Sequence, residues 1–417
     1  MSHTADPATV PPRPWPWGVL AACLAMAGLP IYIHAPKFLI DSYGIGLTAL
    51  GSLLAALRLF DVVQDPALGW LATVTRPRRR LWAGGAMLAL AAGMVGLFAL
   101  AAPIARLIWS GLMLGVIFTC WSFLTICLYA DGVAAAPRFG AKGHLRLAGW
   151  REGGALAGVC LAAVAPGALA LITARPLAGF ALGFAVLAAL ALWAMRREWV
   201  TTPAAGGSGL AMFRPVLVDP AARRLLLIAL VNGAPVAVTA TLFLFFVESR
   251  LQAAGAEGGL LLLFFVAAAL STPGWTALAL RLGAKRVLMG AMGLSILAFL
   301  GAARLGPGDV WPFALICIGS GAALGADNVL LPALFSRRLA ALGQEAAAFG
   351  LWAFVSKLTL ALAAALLLPL LDQAGFVPGA ANDAAALWAL SLAYAVLPLG
   401  LKALALLLLA RTKIEEA

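Results

Sequence analysis

The chain has 417 residues, 63% of them hydrophobic and 11% charged, with a formal net charge of +12 and a mean hydropathy of +1.00. A soluble globular chain carries about 25% charged residues, so this composition excludes an ordinary water-soluble domain and points to a bilayer. The five cysteines (Cys23, Cys120, Cys127, Cys160, Cys317) all fall in apolar stretches, and with three histidines they suggest neither a disulfide framework nor a structural metal centre.

In chain order, residues 1–16 are Pro-rich and polar and lack the charged, apolar and small-residue regions of a signal peptide. They read as a cytoplasmic tail. Apolar segments near the roughly 20 residues needed for a membrane span follow at 17–36, 46–71, 82–102, 106–130, 148–173 and 177–195. A second set follows at 223–248, 258–280, 286–303, 311–334, 346–371 and 385–409. The expected fold is an all-α polytopic membrane protein of twelve transmembrane helices in two six-helix halves, 17–196 and 223–410. The Gly- and Thr-containing segment 197–222 is the cytoplasmic linker between them, and 411–417 is a C-terminal tail.

Basic residues set the orientation. Arg76, Arg78, Arg79 and Arg80, then Arg138, Lys142 and Arg146, then Arg196, Arg197, Arg214, Arg223 and Arg224, then Arg281, Lys285 and Arg286, then Arg337 and Arg338 occupy alternate loops. The opposite loops hold Lys37, Arg106, Arg175, Arg250 and Arg304. This bias places both termini in the cytoplasm and accounts for the net charge without nucleic acid. Pro66-Ala-Leu-Gly-Trp70 in the first half has a faint counterpart in Pro273-Gly-Trp275 in the second, as in a duplicated transporter.

Charges inside the spans are costly and mark candidate sites. Arg58, Asp61 and Asp65 share one helical face in the second span. Asp61 lies about 15 residues in, or roughly 22 Å at 1.5 Å per residue. Two neighbouring carboxylates suit a proton or a transient cation such as Na⁺; a structural Arg–Asp pair is the other reading. Lys357, in the eleventh span, needs an acidic partner, for which Asp61 and Asp65 are the candidates. Arg151 and Glu152 are adjacent and so not on one face, which sends Arg151 toward a solute cavity and Glu152 toward a gate, or both to structural roles. Asp327 in the tenth span, and His34 with Lys37 at the outer end of the first, are further candidate gates. Trp121, Tyr129 and Tyr32 are candidate cavity aromatics. No nucleophile–base set stands out, so an enzyme is not expected.

The stretch Arg58-Leu-Phe-Asp61-Val-Val-Gln-Asp65-Pro66-Ala-Leu-Gly69-Trp70, followed by the basic run Arg76–Arg80, resembles the glycoside–pentoside–hexuronide cation symporters. These are the melibiose-carrier branch of the major facilitator superfamily. Trp121-Ser122, Arg151 and Lys357 agree with that family's fourth, fifth and eleventh helices. The resemblance implies the major facilitator fold in a bacterial inner membrane and alternating access driven by Na⁺, Li⁺ or H⁺, with no resident cofactor. Asp61 and Asp65 would form the coupling site, with Arg58 in support and Lys357 acting on it. The sugar-binding members also carry acids in the first helix and one turn before the fourth-helix tryptophan. Here those positions are the apolar stretch Ala25–Pro30 and Ile117. A melibiose-like sugar is therefore not expected. Arg58, Arg151, Lys357 and Trp121 would instead receive a small anionic or zwitterionic solute. The expected partners are that solute and membrane lipid, and the expected state is a monomer. Lipid or lysolipid transport, and a non-transporting scaffold or sensor, are the alternatives.

Overall fold

The structure, a computed structural model, describes residues 13–29, 31, 35–201, 209–340, 342–377 and 381–412. The regular structure among these residues is helical. The first half contains α1 (Trp15–Leu29), α2 (Ala35–Tyr43), α3 (Leu47–Val74), α4 (Arg79–Phe98), α5 (Arg106–Ala135), α6 (Gly143–Ala170) and α7 (Pro176–Met195). The linker forms the short α8 (Arg214–Val218). The second half contains α9 (Pro220–Phe245), α10 (Glu257–Leu282), α11 (Ala284–Phe299), α12 (Val310–Leu339), α13 (Glu345–Gln373), α14 (Ala384–Ser391) and α15 (Leu397–Arg411).

Within hydrocarbon a helix satisfies its own backbone N–H and C=O groups, which is why apolar segments adopt this state. Among the described residues, ten helical stretches are long and apolar enough to cross a membrane. The apolar part of α1, Trp15–Gly28, is shorter, and α3 runs 28 residues with Arg58, Asp61 and Asp65 inside it. The expected first span, 17–36, is occupied by α1 up to Leu29 and reaches the start of α2 at Ala35; residues 30 and 32–34 between them lie outside the described residues. A π-helical turn, Leu392–Val396, joins α14 to α15 ahead of Pro398. Residues 1–12, 202–208 and 413–417, which hold most of both tails and part of the linker, lie outside the described residues.

Small residues set the closest helix approaches. A Cβ on Gly154 would lie 2.1 Å from the Gly18 carbonyl oxygen, and one on Gly158 2.2 Å from that of Ala22. This four-residue glycine spacing lets the backbones of α6 and α1 touch, the usual route to tight packing where lipid supplies no hydrophobic drive between helices.

The two halves meet where α3 packs on α13 and α6 packs on α10 and α12. Their buried apolar residues form an unequal pair of cores. One runs through the first half and continues into the second at the end bearing the basic loops, through Leu225, Leu288, Leu334 and Phe349. The other belongs to the opposite end of the second half alone, around Phe246, Phe313, Leu371 and Tyr394. The halves are therefore fused at the basic end and have separate cores at the other.

One ion pair pins the basic end within each half. Arg79 Nε lies 3.1 Å from Asp131 Oδ2, and both side chains are fully buried. Asp131→Ala leaves a buried guanidinium without its carboxylate and is expected to destabilise the fold by about 3–5 kcal/mol. Replacing both partners, Arg79→Met with Asp131→Leu, is expected to recover most of the loss. Thermal unfolding of the purified variants checks this.

In the second half, Asp219 caps α9 by accepting from the Ala222 N–H at 2.7 Å and from Arg338 Nε at 3.0 Å. The Arg338 hydrogen bonds hold the Asp219 carboxyl below its ordinary value of 3.8. A depressed folded value gives stability that is present above the ordinary value and lost as pH falls through the folded one. Arg338→Gln is thus expected to lower the unfolding midpoint near neutral pH by a small amount, because Arg338 is partly solvent-exposed. The difference from the parent should begin to shrink as pH drops below about 4 and vanish once pH is below the depressed folded value. Unfolding midpoints across a pH series measure it.

Candidate functional site

α3 brings its polar residues to one face through the helical repeat. Asp61, Gln64 and Asp65 are all buried there, three and four residues apart. Opposite them, α13 presents Lys357, about 18 Å along the helix from its start at Glu345. The Lys357 ammonium lies 2.7 Å from Asp61 Oδ1 and 2.9 Å from Asp65 Oδ1. It also donates to Ser122 Oγ of α5 at 2.7 Å. Ser122 donates in turn to Asp61 Oδ1 at 3.2 Å, and Gln64 Nε2 donates to the same oxygen at 3.0 Å. Thr119 Oγ1 closes the network on Gln64 Oε1 at 2.9 Å.

The donors and acceptors do not balance. With both carboxylates ionised the cluster carries one net negative charge. Asp65 is fully buried, and its Oδ2 has no hydrogen-bond partner. A buried carboxylate oxygen without a donor is costly, and a proton or a hard cation would remove that cost. The oxygens within the network, from Asp61, Asp65, Ser122, Gln64 and Thr119, are of the kind that hard cations accept. Among the described residues no group of three or more His, Cys, Asp or Glu is placed to hold a metal ion.

The other sequence-derived candidates fall in different places. Arg58 is exposed, one turn before Asp61. Trp121 is half-buried; its indole donates to the Leu24 carbonyl at 2.8 Å, and its ring centroid is 5.7 Å from Lys357 Nζ. Arg151 and Glu152, expected on different faces, bond to each other instead, with Arg151 Nε 2.9 Å from Glu152 Oε1. Long side chains on adjacent residues can curl together when a third group gathers them. That group is Tyr129, whose hydroxyl donates to Glu152 Oε1 at 2.8 Å and whose ring lies 3.6 Å below the Arg151 guanidinium. Arg151 Nη2 remains buried without a hydrogen-bond partner. Asp327 sits wholly within the second half, paired with Lys402 of α15, whose ammonium also donates to Asn232 of α9 at 2.7 Å. Tyr32, His34 and the Lys37 side chain lie outside the described residues. Ile117 is fully buried and packs on α4, where a Cβ on Gly93 would meet its side chain at 2.8 Å.

Below the cluster, the basic end is closed by contacts that the sequence reading did not single out. Arg76 Nη1 lies 3.1 Å from Glu345 Oε2, linking the end of α3 to the start of α13. A Cβ on Gly69 would lie 3.0 Å from the Ala346 carbonyl oxygen, and one on Gly350 would lie 2.9 Å from both the Asp65 carbonyl oxygen and the Gly69 Cα. The Tyr129 and Phe349 rings meet at 4.9 Å, and Lys142 donates to the Leu280 carbonyl. Gln64 was visible as a polar side chain three residues from Asp61, and Ser122 as the neighbour of Trp121 in a pair that the resemblance marked. Glu345 was not, because it looked like an ordinary loop residue.

Solved structures share this architecture. The chain resembles a bacterial homologue of the iron transporter ferroportin in an outward-facing state, at 18% identity and TM-score 0.70, over 94% of this chain and 99% of that one. It resembles the human organic anion transporter MFSD10 (TETRAN) at 18% identity and TM-score 0.60, over 95% and 98%. It also resembles a variant of the E. coli fucose:proton symporter FucP at 14% identity and TM-score 0.63, over 94% and 99%. At these identities the likeness is one of fold. No curated protein matches the chain. The model of the family described as "MFS/sugar transport protein" matches residues 16–416. The chain therefore belongs to that family of major facilitator membrane transporters, and is not an enzyme.

Proposed function

We propose that the protein is a cation- or proton-coupled symporter of a small solute, with twelve spans in two six-helix halves and both termini in the cytoplasm. On this reading it is a bacterial inner-membrane protein most like the melibiose-carrier branch. The observation that carries the proposal is the Lys357 ammonium lying between Asp61 and Asp65 while Asp65 Oδ2 has no donor. A proton or cation arriving at the carboxylates competes with the ammonium. Because Lys357 belongs to the second half and the aspartates to the first, that competition bears directly on whether the halves hold together. FucP, which shares this fold, is a fucose:proton symporter.

Arg151 supports an anionic or zwitterionic solute, since its Nη2 is buried and without a partner. Glu152 and Tyr129 would hold that guanidinium in place. With the basic end taken as cytoplasmic, the contacts from Arg76 to Gly350 form the inner gate, and the separate outer cores correspond to an outward-facing arrangement.

The coupling role is tested by ligand-dependent stability, since binding to the folded state raises the unfolding midpoint. We expect Na⁺ or Li⁺, compared with choline, or else a change of pH, to shift the midpoint of the parent protein. Asp61→Asn should abolish the response. Lys357→Met should enlarge the cation response, because it leaves two carboxylates facing each other without an ammonium. A parent protein insensitive to Na⁺, Li⁺ and pH, or an Asp61→Asn variant that responds like the parent, overturns the reading. Solute counterflow in proteoliposomes, with carboxylates and amino-acid derivatives as the panel, separates a transporter from a sensor.

The gate is tested sterically. Gly350→Leu places a side chain where the Asp65 carbonyl and the Gly69 Cα now sit. It should hold the basic end open, so that a cysteine at Ala346, buried in the closed gate, reacts severalfold faster with a membrane-impermeant maleimide added from the cytoplasmic side. A background without the five native cysteines keeps that readout clean.

A further inference from the structure

The second half contains a cavity of about 160 Å³ that the coupling cluster does not use. Its walls come from α9, α10, α11, α12 and α15 together with the Leu392–Val396 turn. No residue of the first half and none of α13 lines it. It is therefore separate from the contact between the halves. The lining is strongly aromatic, with Phe243, Phe264, Phe265, Phe299, Phe313 and Tyr394 among its residues.

The polar edge of the cavity is specific. Asp327 and Lys402 both line it, and both are more than nine-tenths buried. The Lys402 ammonium is held by Asp327 Oδ2 and by Asn232 Oδ1. Asp327 Oδ1 has no hydrogen-bond partner. The wall hydroxyls of Thr239 and Ser320 donate to carbonyls of their own helices, those of Pro235 and Ile316. The pair is electrically balanced, so a ligand bringing net charge would be desolvated without compensation. The unmet need is a donor for one carboxylate oxygen. Apolar cavities of about 150 Å³ elsewhere accept benzene.

We propose that this cavity is a second ligand site, for a neutral amphipath about the size of one substituted aromatic ring that presents a hydroxyl or N–H to Asp327. The ring packs among the phenylalanines, and a small rotation of the Asp327 carboxylate turns Oδ1 toward the donor while Oδ2 stays on Lys402. The site discriminates by charge and by one hydrogen bond. It prefers a phenol to the matching hydrocarbon, and the hydrocarbon to the matching carboxylate.

The test uses the purified full-length protein in lipid nanodiscs, with 4-ethylphenol, ethylbenzene and 4-ethylbenzoate as probes and the unfolding midpoint as readout. We expect 4-ethylphenol to raise the midpoint saturably, with an apparent affinity about tenfold above that of ethylbenzene, the worth of one hydrogen bond to a charged group. 4-Ethylbenzoate should give no saturable shift. Ser320→Phe, which fills the cavity from α12, should abolish the 4-ethylphenol shift. Should that variant fail to fold, Ile296→Trp fills the same space from α11. Equal shifts in parent and filled variants place the probes in the lipid and overturn the proposal. So does ethylbenzene matching 4-ethylphenol, or the carboxylate binding more tightly than either.

Discussion

The arrangement at the centre of the molecule depends on one electrostatic constraint, an ammonium on α13 lodged between two carboxylates on α3. None of the three charges is tolerable alone at that depth. An isolated ion in a low-dielectric interior is costly, and removing one partner of a buried set strands the others. Lys357 answers both aspartates at once, and it can do so because the two halves are in contact there. Ser122 and Gln64 take up hydrogen-bonding capacity left over on Lys357 and Asp61. Even so, the set is one positive charge short and one donor short.

The reach of Lys357 also constrains the surrounding packing. The cluster can form when α3 and α13 approach closely, and Gly69 and Gly350 permit the approach one helical turn or more below it. The Arg76–Glu345 pair then closes the end of the same helix pair. Electrostatics and sterics are thus arranged in series along one interface, with the charges about midway and the glycines and the Arg76–Glu345 pair at the basic end. At the opposite end the halves keep separate apolar cores. Parting α3 from α13 at the basic end would loosen the Arg76–Glu345 pair and the charge cluster together.

The amount of this that was readable in the sequence follows from how much each feature depends on neighbours along the chain. Asp61, Asp65 and Lys357 stood out because a charge in an apolar span is conspicuous wherever it sits, and three- and four-residue spacing gives a shared face without any tertiary knowledge. The Arg151–Glu152 bond was missed because helical geometry puts adjacent residues on different faces. It takes Tyr129, brought from α5, to draw the two side chains together. Glu345 was missed because a carboxylate at a helix start is unremarkable until Arg76, 269 positions earlier, is found beside it. Asn232 shares that history: it is a single polar residue in an apolar helix, and its meaning lies in accepting from Lys402, the partner of Asp327.

The two buried charge clusters differ in a way that bears on mechanism. The Asp327–Lys402–Asn232 set is neutral and confined to one half, so movement of the halves as units leaves it intact. The Asp61–Asp65–Lys357 set spans the interface and is one charge from neutrality, so the same movement changes its solvation and its partners. On the proposed reading, separation of α3 from α13 without a substitute for Lys357 would leave two buried carboxylates facing each other, which like-charge repulsion and desolvation both oppose. A proton or cation at the aspartates removes that opposition. The coupling ion then acts by making the parting of the halves tolerable, and a solute held beside Arg151 is carried through the same transition without having to supply the energy for breaking the cluster itself.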